Sequence, residues 1–202
     1  MQINIDKKSG IFLSIIALLL LTLGFMASNR HENSFGWFNH TRMHSDDDRS
    51  NPKKKLQGSD VMFAQMMILH HEQAVEISDL ALKVSKNAEV LKLAAEIKEA
   101  QSPEILQMKS WLSESGSPLE MDHSMGMGGM LSDSEIKSLE GAIGKNFDTL
   151  FLKGMIAHHE GALHMVLMIK DSSNSEVRAL GESITQSQTA EILLMKELLK
   201  NL

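Results

Sequence analysis

The chain has 202 residues, 43% of them apolar, and a formal charge of −6 at pH 7. That charge, with 4% aromatic residues, argues against a nucleic-acid surface built from basic patches and stacking rings. Cysteine is absent, which excludes disulfides, thiolate catalysis and zinc–thiolate sites; soft ligation must come from the 15 Met, alongside 9 His.

The first element is an apolar run from Ile11 to Ala27, preceded by Lys7 and Lys8. It is apolar on every face and sits at the short end of the ~17–25 residues that span a bilayer. Cleavage after Ala27 would place Phe25 at the −3 position, where a signal peptidase wants a small residue. Residues 1–27 therefore read as a retained signal anchor, with a cleaved signal as the alternative. Either way the two lysines favour a cytoplasmic N-terminus and send the rest across the membrane, to the periplasmic or extracytoplasmic side.

Residues 28–58 read as a linker, with charge blocks Asp46-Asp47-Asp48 and Lys53-Lys54-Lys55 and no helical or strand period. A domain over 59–202 follows. Its first helix has Ser59 as expected N-cap and the stripe Phe63, Met67, His70, Ala74, Ile77, Ala81, Val84, spaced by fours and threes. A second helix runs from near Ala88 to Leu112, with Pro103 expected to kink or divide it.

A loop over 113–131 carries Met121, His123, Met125, Met127 and Met130 among glycines, a composition unsuited to a core. A flexible thioether-rich loop can scavenge Cu(I); the structural alternative is a disordered linker. Ser132-Asp133-Ser134-Glu135 reads as a capping box opening a short helix to about Ile143, where Gly144 interrupts. A long helix then carries Phe147, Phe151, Met155, His158, Ala162, Met165 and Ile169, and after a turn at 171–174 a last helix starts near Ser175.

The chain repeats itself. Met67-Ile68-Leu69-His70-His71-Glu72-Gln73-Ala74 returns as Met155-Ile156-Ala157-His158-His159-Glu160-Gly161-Ala162, an offset of 88 (155 − 67). Gln101-x-x-Glu104-Ile105-x-x-Met108 returns as Gln188-x-x-Glu191-Ile192-x-x-Met195, an offset of 87 (188 − 101). The repeating unit is thus a helical hairpin. Two hairpins that each bury one stripe most simply close into an all-α four-helix bundle.

With His70 on the stripe, Met67 lies one turn before it and within reach of His71 as well; Met155, His158 and His159 repeat this geometry. The second copy adds Glu160, His164 and Met168 as a further ligand line, where the first has Glu76 in place of His164. Neutral thioether favours Cu(I), and imidazole accepts Cu(I), Cu(II) and Zn. A core histidine bonded to a neighbour is the ordinary explanation of a single such residue; a doubled pair with Met one turn earlier favours ligation. Glu104 and Glu191 read as cross-helix or helix-end hydrogen-bonding groups.

The combination Asp-x-x-Phe, Met-x-x-His-His-x-x-Ala and Gln-x-x-Glu-Ile-x-x-Met, twice over, resembles the domain-of-unknown-function 305 (DUF305) family. The resemblance covers about Ser59 to Leu202. It implies a ferritin-like helical bundle of the bacterial cell envelope that binds copper, with Met67, His70, His71, Met155, His158, His159 and the Met-rich loop as ligands. The function expected is copper binding, sequestration or transfer, without catalysis. A copper-transfer partner or a second copy of the chain are the macromolecular partners considered, besides the membrane. Two alternatives stand beside it. One is a di-iron protein of the ferritin or hemerythrin kind, disfavoured because paired Glu-x-x-His motifs are missing. The other is a helical interaction module without metal.

Overall fold

The computed structural model describes residues 56–120 and 128–202. The regular secondary structure of those residues is all helical, with no strand among them. We number the helices α1 (Gly58–Val84), α2 (Ala88–Ser115), α3 (Asp133–Glu140), α4 (Gly144–Val166) and α5 (Ser175–Asn201); a short 3-10 turn, Leu167–Ile169, follows α4. The expectations for residues 1–27, for most of the linker and for Met121, His123, Met125 and Met127 lie outside the described residues. Among the described residues no helix is long and apolar enough to cross a membrane.

Helix α1 packs along α2, α4 packs along α5, and α1 meets α4. The two hairpins turn by the same device. Asn87 caps α2, accepting from the N–H groups of Glu89 and Val90, and Asn174 caps α5, accepting from Glu176 and Val177. Each asparagine's own N–H donates to a serine two residues back, Ser85 or Ser172, at 3.1 Å in both. Orphan donors at both helix starts are thereby satisfied by the same short Ser-x-Asn sequence.

One apolar cluster draws on all four long helices: Phe63 and Met67 from α1, Met108 and Leu112 from α2, Met165 from α4 and Ile184 from α5. The predicted stripes are the buried faces. Phe63, Met67, His70, Ala74, Ile77 and Ala81 are buried on α1, and Phe147, Phe151, Met155, His158, Ala162 and Met165 on α4.

Several boundaries differ from the sequence reading. The N-cap of α1 is Gln57, not Ser59, because Asp60 at the third helical position reaches back to accept from the Gln57 N–H at 2.8 Å. The helix therefore begins inside the expected linker, and Leu56 already packs on the core. Helix α2 runs on to Ser115 before Gly116, at φ 68°, closes it in the left-handed conformation. Pro103 does not divide α2: it lies on the exposed face, so its missing N–H falls on the solvent side. Helix α3 stops at Glu140, and Gly144 opens α4 instead of interrupting a helix.

Candidate metal centre

Midway along α1 and α4 the two repeats bring four histidines into the core. His70, His71, His158 and His159 are all fully buried. His70 and His158 face each other across the α1–α4 contact with ring centroids 3.6 Å apart and planes tilted by 36°. Each adjacent pair is set wider, at 6.5 Å for His70–His71 and 6.2 Å for His158–His159. The helical repeat explains this: neighbours on a helix diverge by about 100°, so one ring of each pair meets the other repeat and the second turns towards its own hairpin partner.

That partner is a glutamate. His71 Nε2 donates to Glu104 Oε2 of α2 at 2.8 Å, and His159 Nε2 donates to Glu191 Oε2 of α5 at 2.6 Å. An ionised carboxylate only accepts, so Nε2 carries the proton and a neutral ring presents its lone pair at Nδ1. The Nδ1 atoms of His71 and His159 are buried with no partner, as are both ring nitrogens of His70 and of His158. Six buried imidazole nitrogens thus stand without hydrogen bonds, in a chain where buried polar groups are ordinarily paired.

The electrostatics keep the central rings neutral. Burial pushes the His70 imidazole down to about 3, and the nearby His71 and His159 imidazoles act in the same direction by disfavouring a further proton on it. The backbones of Gly128 and His158 lie close enough to pull weakly the other way, without forming well-shaped hydrogen bonds to the ring. His158 is also held well below the ordinary imidazole range, by burial first and then by His70, His159 and His71. A neutral ring has a lone pair to give, which is the state a metal ion requires.

Met67 and Met155 are fully buried, one turn before His70 and His158. Both side chains fill the core, and each carries a thioether sulfur there. Glu72 and Glu160 turn outward, as their spacing predicted, to bond Lys109 and Lys196. His164 stays apart from the buried four. It is exposed on α4, its Nδ1–H donates to the Glu160 carbonyl at 2.8 Å, and it lines a surface hollow of about 480 Å³ with Met165 and Met168. Met130 is half-buried in the segment leading into Ser132.

Among the described residues no three His, Asp or Glu side chains converge to hold an ion. Neutral imidazole and thioether are the donor types that suit a soft ion.

Two features escaped the sequence reading. Gln101 and Gln188, one turn before Glu104 and Glu191, are buried with both amide atoms unpartnered. Their recurrence in the repeat was visible, but not that a polar amide would lie inside. Gln73 and Gly161, equivalent positions that differ, both hold residues 128–131, and only the difference between the copies could have pointed to them.

The DUF305 model, a domain of unknown function, matches residues 60–199. Among solved structures, a DUF305 protein from Streptomyces coelicolor, named as secreted, is 33% identical over 71% of this chain and 91% of its own, with a TM-score of 0.68. A DUF305 fragment from Deinococcus radiodurans is 31% identical, covering 73% of this chain and 99% of its own, also with a TM-score of 0.68. CopM in its Cu(I)-bound form is 32% identical over 72% of this chain and 98% of its own, with a TM-score of 0.62. CopM has also been solved with Cu(II), with Ag and in an apo form. No curated protein sequence matches the chain.

Proposed function

The chain belongs to the DUF305 family, and we propose from this that it binds copper as cargo, taking up Cu(I) outside the cytoplasm and sequestering it or passing it on. The observation that carries the reading is the group of six unpartnered buried ring nitrogens on His70, His71, His158 and His159. Leaving such groups without partners costs folding stability, on the order of 1–3 kcal/mol each. A bound ion would offset that cost.

His70 and His158 would supply the central imidazoles, with Met67 and Met155 as thioethers that favour the lower oxidation state. His71 and His159, oriented by Glu104 and Glu191, would offer Nδ1 from the flanks. A carboxylate behind a ligating imidazole raises its basicity and fixes its tautomer. His164 would gather the ion at the surface, and Met121, His123, Met125, Met127 and Met130 of the Met-rich segment would add thioether and imidazole donors for its capture. The CopM structures with Cu(I), Cu(II) and Ag support the choice of metal.

In this reading the two hairpins close as a ferritin-like four-helix bundle forming a domain over about 59–202. Residues 1–27 tether it to the membrane, and residues 28–58 link the two. The test is the copper content of the full chain purified from copper-supplemented cells. About one or more copper atoms per chain supports the proposal; iron in place of copper, or no metal at all, overturns it.

A further inference from the structure

Residues 128–131 form a strap across α1 and α4, and the two repeats differ where it lies. A Cβ on Gly161 would stand 2.2 Å from the Gly128 carbonyl oxygen, and one on Gly129 would stand 2.7 Å from the Ala157 carbonyl oxygen. A Cβ on Gly154 would meet the Leu131 side chain at 3.0 Å. The strap therefore runs backwards along a shallow track on α4 made by Gly154, Ala157 and Gly161. The equivalent positions on α1 are Met66, Leu69 and Gln73, all bulky.

On α1 the strap is held differently. The Gln73 Nε2–H donates to the Leu131 carbonyl at 2.9 Å, and the Leu131 N–H donates to Gln73 Oε1 at 2.8 Å, both buried. Gln73 thus grips the strap by its side chain at the position where Gly161 admits it by having none. Gly129 adopts φ 88°, which favours glycine at the bend.

The strap lies over the histidine pair. Gly128 sits beside His70, and Gly161, which it touches, is three residues after His158 on the same helix. Both rings are fully buried. At the strap's outer edge opens the hollow lined by His164, Met165 and Met168, with Gly128 and Gly129 in its wall.

The geometry points to Gln73 and Gly161 as positioning residues that fasten residues 128–131 over the His70–His158 pair, so that a soft cation passes from the His164 hollow to the pair when the strap lifts. This rests on the copper reading for the identity of the cation, but not for the fastening itself. The repeat's divergence then has a physical cause: one copy is cut down to admit the strap and the other is lengthened to hold it.

The experiment compares the full chain with its Gln73→Ala, Gln73→Glu and Gly161→Ala variants. It reads amide exchange at Leu131, diethyl pyrocarbonate labelling of His70 and His158 mapped by mass spectrometry, and the rate of Cu(I) uptake from a coloured chelate. Gln73→Ala is expected to speed Leu131 exchange at least tenfold and to raise labelling and uptake severalfold at unchanged copper capacity. Gly161→Ala should act in the same direction, and Gln73→Glu, which keeps the acceptor and loses the donor, should fall between. Exchange at Ile97, deep in α2, should stay at the wild-type rate.

Faster Leu131 exchange with unchanged labelling overturns the role in access. Unchanged Leu131 exchange in the Gln73 variants overturns the fastening. Equal acceleration at Ile97 would mean general loosening and also overturns the proposal. Faster labelling in variants of a protein that takes up no Cu(I) would leave the strap standing and remove the copper reading.

Discussion

His70 and His158 stand 88 positions apart in the chain (158 − 70) and meet in the core with ring centroids 3.6 Å apart and planes tilted by 36°. The juxtaposition of equivalent residues follows from the repeat. Each hairpin buries the same stripe, and when α1 meets α4 the same stripe position arrives from both sides. Two imidazoles that close cannot both be charged in a dry interior, so the arrangement selects neutral rings.

That neutrality makes stability depend on pH. Unfolded, His70 titrates near 6.5; folded, it is pushed down to about 3, and His158 moves the same way. Between those values the unfolded chain holds more protons than the folded one, so stability rises with pH across that window. It is fully present above about 6.5 and is lost as pH falls towards 3. The unfolding free energy of the metal-free protein, read from urea titrations, should be flat from pH 7 to 8 and fall steeply between 6 and 4, by an amount on the order of a few kcal/mol. His70→Leu/His158→Leu should show a shallower fall. An identical fall in that variant would contradict the assignment.

The two histidine–glutamate pairs should differ in worth. The Glu191 side chain is 5% exposed and that of Glu104 is 14% exposed. Removing a carboxylate strands a buried imidazole nitrogen, at a cost of about 1.5–3 kcal/mol for a hydrogen bond to a charged group. Glu191→Ala should lie at the upper end and Glu104→Ala at the lower, read by chemical denaturation. The reverse order would show that burial of the carboxylate does not set the energy.

Met67 and Met155 pack the core whatever else they do. Truncation to Ala should cost about 2–5 kcal/mol and would say little about ligation. Met67→Leu/Met155→Leu keeps the volume, at less than about 1.5 kcal/mol per site, and removes both thioethers. The fold should survive while Cu(I) affinity drops at least about tenfold, equal to about 1.4 kcal/mol. Unchanged affinity would confine both residues to packing.

Pro103 offers a test of the repeat itself. Its equivalent in α5 is Ala190, in an uninterrupted helix. Proline in a helix interior is worse than alanine by about 3 kcal/mol, and Pro103 lies on an exposed face with no packing to lose. Pro103→Ala should therefore stabilise the protein by about 1–3 kcal/mol, seen as a raised melting temperature. A lowered one would assign Pro103 a structural task.

Much of this was legible from periodicity. The stripes of fours and threes mark the faces that α1 and α4 bury, and the tandem Met-x-x-His-His marks the histidines that meet. Glu104 and Glu191 emerge as cross-helix hydrogen-bonding groups, one of the roles their recurrence suggested. Helix ends were less legible, since Gln57 outranks Ser59 through a contact with Asp60 that propensity does not encode. The separation of His164 from the buried four was not legible either, because spacing places a residue on a helix but not its neighbours across the core. Gln73 and Gly161 were hidden because both depend on where a loop returns, which no local pattern specifies.

The most direct test is a Cu(I) titration of the full chain against a competing chelator, beside the His70→Ala/His158→Ala variant. The wild-type protein should hold Cu(I) against the chelator, and the variant should lose at least about tenfold in affinity, or about 1.4 kcal/mol, while keeping its helical circular dichroism. A folded variant that holds Cu(I) as tightly as the wild type would contradict the account.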